Sequence, residues 1–319
     1  MEISFLKAGN GDCIYMSSKG HHVIVDSGET CPELEDVIKN ITQAGEAIDL
    51  LVVSHYDSDH IKAILQILQK MTVVQQGKLV KKVWFNATKV GFHGNEKELS
   101  ATEATQLGSL LLAANIPWMS EIKEGTKEII TDELIIEVVD GGTIYKREEG
   151  GQQLSNNKCD WSTHMADLEI YLNDEALDNS VTNRQSAILV VHANGHKILL
   201  PGDATPDKLT AALRRYAKDG KSKFDLIKMP HHGSYKNITK DILEKVKCSD
   251  YVITTDGSIF LHPNKKALLK VIKWGTPSKD RLLTFHLNYY DDLFPCLGIS
   301  REDMNQYKFE CDGKRTFEF

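Results

Sequence analysis

Apolar and polar positions follow two rhythms along the first quarter of the chain, and each rhythm marks an element. Residues 12–17 and 21–26 are short apolar, β-rich runs on either side of Ser17-Ser-Lys-Gly20, which predicts a hairpin. From Pro32 the spacing changes. Leu34, Val37, Ile38 and Ile41 recur at i, i+3, i+4 and i+7, giving one buried face to a helix that proline can open. Leu50 to Val53 is a continuous apolar strand of the kind covered on both faces. Ile61, Ile64, Leu65 and Leu68 then predict a second helix over 61–70.

The plan returns later in the chain. Ala187–His192 and His196–Leu200 flank Asn194-Gly195, the dipeptide best suited to a tight hairpin turn. Thr205-Pro206 reads as an N-cap and first helical residue, with Leu209, Ala212, Leu213 and Tyr216 on the inner face. A strand over Phe224–Met229 ends at a histidine pair. Val23-Ile-Val-Asp26 answers Ile198-Leu-Leu-Pro-Gly-Asp203, and Ile48–His55 answers Phe224–His231. Asp26 precedes His55 by 29 positions, and Asp203 precedes His231 by 28.

This correspondence predicts a duplicated β-hairpin–strand–helix–strand unit. Two such halves would stack their sheets with helices outside, an α/β fold of four layers, the α/β/β/α sandwich of two pseudo-repeated halves. Matching strand ends then meet at one edge, where the loops of α/β folds hold ligands. A single domain over 1–319 is expected, with an insertion or lid at the polar, glycine-rich segment 141–165 and a C-terminal extension after about residue 275. Tyr307–Cys311 and Thr316–Phe319 read as a terminal hairpin around Asp312-Gly313.

Composition adds limits. With 41% hydrophobic and 26% charged residues, the 319-residue chain can bury a sizeable core. A net charge of −7 argues against a chain-wide nucleic-acid surface. The basic run Arg214, Arg215, Lys218, Lys221 and Lys223 reads as a solvated helix and loop. Cysteines 13, 31, 159, 248, 296 and 311 form no C-x-x-C pair, so neither a zinc knuckle nor a disulfide framework is expected. The chain opens as a strand and has no bilayer-long apolar run. The expectation is a cytoplasmic protein with no membrane partner.

The chemistry concentrates where strand gives way to helix. His55, Asp57, Asp59 and His60 lie within six residues after an apolar strand, and their nitrogen and oxygen donors suit divalent zinc, manganese or iron. An EF-hand is excluded, because the glycine and glutamate its loop requires are absent. Asp203 ends a buried strand, where a carboxylate could bridge two metals, while Thr205 is the better helix cap. Of His231 and His232, adjacent residues that point differently, the repeat favours His231 as the ligand. His232 is then left to contact substrate or orient the site.

In this order, Asp26-Ser-Gly, H-x-D-x-D-H, Gly202-Asp203 and His-His-Gly-Ser resemble the metallo-β-lactamase-fold hydrolase superfamily. Asp57 stands where the usual H-x-H-x-D-H motif has its second histidine. With Gly11-Asp12, Asn183-x-x-Ser186 and His262-Pro-Asn, this variant is similar to the hydrolase domain of bacterial competence DNA-uptake channel proteins, over roughly residues 1–275.

The resemblance implies two divalent metal ions. His55 and Asp57 would hold one, and Asp59, His60 and His231 (or His232) the other, with Asp203 bridging. Asn183 occupies the place of a further family histidine, so oxygen replaces nitrogen twice, which shifts preference from zinc towards manganese or magnesium. Asp26 would orient a ligand from behind. Asn183, Ser186, Ser234 and His262 fall at supporting or substrate-facing positions, and Asp59 would handle the proton of a metal-activated water. His93, His164 and His192 read as loop or surface histidines.

The expected activity is a metal-dependent phosphodiesterase or nuclease acting on a phosphodiester or nucleic-acid substrate. The alternatives are a small ester, lactone or β-lactam hydrolase, and a degenerate interaction module with an unspecified partner protein.

Overall fold

A computed structural model describes residues 1–87, 99–142, 159–173, 176–218, 220–278 and 282–319. Within them, alternation along the strands sorts side chains to two faces, as the two-residue period of a strand requires. Val23, Val25, Leu50 and Val52 point between the sheets, towards Leu189, Val191, Ile198 and Leu200 of the second sheet. Ile24, Leu51 and Val53 point the other way, into a cluster with Leu34, Ile38 and Ile41 of helix Pro32–Gln43 and Ile61, Ile64 and Leu68 of helix Ser58–Gln69. On the far side, Val190 and Leu199 meet Leu209 and Leu213 of helix Pro206–Ala217 and Leu268 of helix Lys265–Trp274. These faces make the four-layer α/β/β/α sandwich.

Among the described residues, one of the two stacked sheets has seven strands and the other eight, and a separate two-stranded sheet pairs Ser222–Lys223 with Val246–Lys247. The repeat is visible in both. The antiparallel hairpin of Ile14–Ser18 and His21–Val25 is followed by helix Pro32–Gln43 and the parallel strand Ile48–Val53. Ile188–Ala193 and His196–Leu200 are likewise followed by helix Pro206–Ala217 and the parallel strand Leu226–Lys228. Lys19-Gly20 and Asn194-Gly195 make the two hairpin turns with positive φ throughout.

The tail departs from expectation. It is not a hairpin: Phe309–Asp312 runs parallel to Leu283–Leu287 in one sheet, while Thr316–Glu318 pairs antiparallel with Glu2–Phe5 in the other. The chain therefore crosses between sheets at residues 313–315. What fixes the crossing is Phe317, buried edge-on against Phe5 at 6.0 Å and against His286 at 5.1 Å.

Of the expected lid, residues 143–158 lie outside the described residues. The described end is anchored: Asp160 accepts from the N–H groups of Lys265 and Lys266 at 2.9 Å each, and Trp161 Nε1–H donates to the Pro263 carbonyl at 2.8 Å. No helix among the described residues is long and apolar enough to cross a membrane.

Phe317→Ala should lower unfolding free energy by about 3 kcal/mol, in the range for a truncated core aromatic. Urea denaturation monitored by circular dichroism measures it; a change below about 1 kcal/mol would mean that the last strand does not hold the sheets together.

Candidate metal centre

Strand Ile48–Val53 ends at the edge where both sheets present their loops, and the chain turns there into helix Ser58–Gln69 with Asp57 as its N-cap residue. The turn is held from outside. Asp12 N–H donates to the Asp59 carbonyl at 3.2 Å, and a Cβ at Gly11 would lie 1.8 Å from that oxygen, so only glycine fits. Asp26, at φ +58° after the neighbouring strand, is the organising group. Its carboxylate accepts from Ser54 N–H and Ser54 Oγ–H at 2.7 Å each and from His60 Nδ1 at 2.9 Å.

Since the Ser54 hydroxyl donates to Asp26, its lone pairs face His55 Nδ1 at 3.1 Å, with Ser186 Oγ at 3.2 Å from the same nitrogen. His232 Nδ1 faces the Thr254 carbonyl at 2.8 Å. All three rings thus use Nδ1 as the donor and turn Nε2 inward. The Nε2 atoms of His55, His60 and His232 are buried and without a hydrogen-bond partner, an arrangement proteins rarely leave unfilled.

What these nitrogens face is carboxylate. Asp203 Oδ2 lies 3.5 Å from His60 Nε2 and 3.4 Å from His232 Nε2, and Asp59 Oδ2 lies 3.5 Å from His232 Nε2. Ligands about 2.0–2.1 Å from a tetrahedral divalent ion stand roughly 3.4 Å from one another. Asp59, His60, Asp203 and His232 therefore form a cluster that fits a metal ion, with ligand atoms all within 4.8 Å. His55 and Asp57 sit alongside, Nε2 to Oδ2 3.6 Å, with the His55 and His60 rings 4.1 Å apart.

The histidine pair sits on an unusual turn. His231 and His232 both adopt left-handed backbone, φ 46° and 53°, and this turn sends the second ring inward. His232 joins the four-residue cluster that could hold a metal ion. His231 lies at the margin, one-fifth exposed, with Nε2 3.7 Å from Asp203 Oδ2. Its Nδ1 is braced by Asn237 Oδ1 at 3.1 Å and Asp178 Oδ2 at 3.3 Å.

The supporting residues divide. Asn183 donates to Asp178 Oδ2 at 2.7 Å and lies 3.4 Å from His231 Nδ1, bracing that ring. Ser186 Oγ touches His55 and accepts from Asp203 N–H at 3.2 Å. His262 packs its buried ring edge-on to His231 at 5.4 Å. Ser234 contributes backbone, donating its N–H to the His231 carbonyl. His192 pairs with Glu137 and His164 stands exposed just before a short helix without capping it, while His93 lies outside the described residues.

Sequence reasoning missed Lys228, a fully buried cation paired with Asp12 and 3.5 Å from Asp203 Oδ1. A lysine inside an otherwise apolar strand was the available signal. Asp178 was missed too, and its polar surroundings gave none.

Residues 6–100 match the family model of the metallo-β-lactamase superfamily. This chain has the metallo-β-lactamase fold. Three solved structures of low identity resemble it. The metallo-β-lactamase fold protein YhfI of Bacillus subtilis is 10% identical, covering 100% of this chain and 99% of that one, with TM-score 0.49. Zn(2+)-bound PqqB of Methylobacterium extorquens is 11% identical over 100% of both chains, TM-score 0.48. The metallo hydrolase Igni18 of Ignicoccus hospitalis is 14% identical over 100% of both, TM-score 0.45. No curated protein matches.

In this metallo-β-lactamase fold, charge explains why the cluster wants a cation. Burial alone would depress the His60 and His232 rings, yet Asp203 above all lifts both well above the ordinary histidine value. Burial would raise the Asp59 carboxyl, but His60 and His232 hold it down at about 2. Without a metal the rings take protons between the carboxylates; a divalent ion would take the protons' place.

Asp26→Asn keeps the left-handed backbone that asparagine tolerates but weakens the acceptor behind His55 and His60. Metal affinity should fall roughly 10- to 100-fold, measured by competition with a chelating dye; unchanged affinity would count against the Asp26 role.

Asp178 gives the pH prediction. Burial raises its carboxyl, while His231 and the Asn183 amide pull it down to about 2, below the usual 3.8. A folded value below the unfolded one stabilises above pH 3.8, and that contribution is lost as pH falls towards 2. Asp178→Asn should remove about 2 kcal/mol of metal-free stability at pH 6 and much less at pH 2.5, by urea denaturation.

Proposed function

We propose that this metallo-hydrolase fold is a metal-dependent phosphodiesterase or nuclease. The observation that carries it is the convergence of the partnerless His60 and His232 ring nitrogens on Asp59 and Asp203, with Asp57 rather than an imidazole beside the third partnerless ring, His55. The first feature supports hydrolysis at a metal centre. The second, with Asn183 turned away to brace His231, gives an oxygen-rich donor set that favours manganese or magnesium and hence phosphoryl substrates. The resemblance of the motifs to DNA-uptake hydrolases supports the same substrate class.

His60, Asp59, Asp203 and His232 would hold one ion, and His55 with Asp57 a second. Two such ions would supply Lewis-acid activation of a water and neutralise charge on the phosphoryl group. The residues do the rest. Asp59, held unprotonated at neutral pH and partly exposed, accepts the proton of the attacking water. Asp26 and the Thr254 carbonyl keep the rings from rotating. Lys228 fixes one oxygen of Asp203, leaving the other to face the histidines. The six free cysteines support a reducing, cytoplasmic setting.

Manganese-loaded protein should hydrolyse bis(p-nitrophenyl) phosphate and nick DNA or RNA, and Asp203→Ala should lower the rate roughly 100-fold or more. If wild type and Asp203→Ala leave all three substrates equally intact, the proposal fails. Turnover of a lactone or nitrocefin instead would redirect it to small esters and lactams.

A further inference from the structure

Residues 256–260 form a loop at the rim of the metal centre, and it is tied down on two sides. The buried Asn10 side chain donates from Nδ2 to Ser258 Oγ and accepts at Oδ1 from Ile259 N–H, both at 3.1 Å. Asp256 N–H donates to the Gly9 carbonyl at 2.9 Å, and the Asp256 carboxylate accepts from Ser258 N–H at 2.9 Å. Asn10 belongs to the same turn as Asp12, whose carboxylate lies 3.3 Å from His232 Nδ1. The loop is therefore built on the backbone that builds the centre.

Two apolar side chains stand on this hydrogen-bonded loop in solvent: Ile259 is 60% exposed and Phe260 43%. The Phe260 ring lies nearly parallel to His262, centroids 6.3 Å apart at 26°. His262 in turn meets His231 at 5.4 Å, and His231 Nε2 is 3.7 Å from Asp203 Oδ2. A short ladder of rings thus leads from the carboxylate cluster out to an open aromatic face.

Isolated exposed apolar residues are ordinary. A pair on a hydrogen-bonded loop beside a charged centre is a different feature, because the loop backbone is already ordered before binding. The patch is one ring and one aliphatic side chain, far below the roughly 800 Å² per partner of a protein interface. Its size is that of one flat heterocycle.

We propose that Phe260, flanked by Ile259, is the platform on which a nucleobase of the substrate stacks while the phosphodiester lies over the Asp59–Asp203 cluster. The inference rests on the phosphodiester reading and specifies its substrate as a nucleotide. Stacking is tolerant of base identity, so the platform would select for the presence of a base and not for sequence.

Calorimetric titration of the manganese-loaded full chain with thymidine 5′-monophosphate and with 2-deoxyribose 5-phosphate tests it. Wild type should bind the nucleotide about tenfold more tightly than the base-free sugar phosphate, at the low end of base–aromatic stacking. Phe260→Ala should bring that ratio close to one while leaving sugar phosphate binding unchanged, and Phe260→Trp should keep it. Equal ratios in wild type and Phe260→Ala, no preference in wild type, or no nucleotide binding at all would each overturn the platform. Failure of the phosphodiester reading shows separately, as absent turnover of bis(p-nitrophenyl) phosphate by wild type whatever the binding ratio.

Discussion

Repulsion among the buried carboxylates Asp12, Asp26 and Asp203 and the half-buried Asp59 is the constraint around which the edge of the sandwich is organised. Each comes from a different strand end or turn, so bringing the two halves together forces them together. Ionised groups in that setting demand compensation. Lys228 offsets Asp12 and one oxygen of Asp203, and Asp26 is satisfied by Ser54 and His60. The remaining oxygens of Asp59 and Asp203 face ring nitrogens at distances too long for good hydrogen bonds and well suited to a shared ion.

From that constraint the rest of the site follows. Gly11 is required because the Asp12 turn must press on the Asp59 carbonyl, and the left-handed turn at His231-His232 is required to bring one ring inward and keep the other at the rim. The same turn of chain that carries Asp12 carries Asn10, which holds the loop of Phe260. Ligand geometry and the proposed base platform thus share one piece of backbone. The strain of adjacent left-handed non-glycine residues is concentrated at the centre, as is usual for functional positions.

Much of this was legible in the sequence because it is local. Helix Pro32–Gln43 announces itself through Leu34, Ile38 and Ile41, and both hairpin turns through a residue–glycine pair with strands on either side. The repeat of Asp26…His55 and Asp203…His231 placed the two halves of the site at matching strand ends. Pairings between distant segments were not legible. Thr316–Glu318 prefers Glu2–Phe5 over its sequence neighbour Phe309–Asp312, and nothing near residue 313 encodes that choice. How His231 and His232 share the centre was not legible, because a repeat alignment carries no backbone handedness. Lys228 was passed over because a buried lysine makes sense only once its carboxylate partners are in view.

Anomalous diffraction from crystals grown with manganese tests the central claim most directly. The account predicts two neighbouring anomalous peaks, one among Asp59, His60, Asp203 and His232 and one beside His55 and Asp57. Crystals that show no peak within the reach of these side chains, with the ring nitrogens of His55, His60 and His232 hydrogen-bonded to protein or water instead, would contradict it.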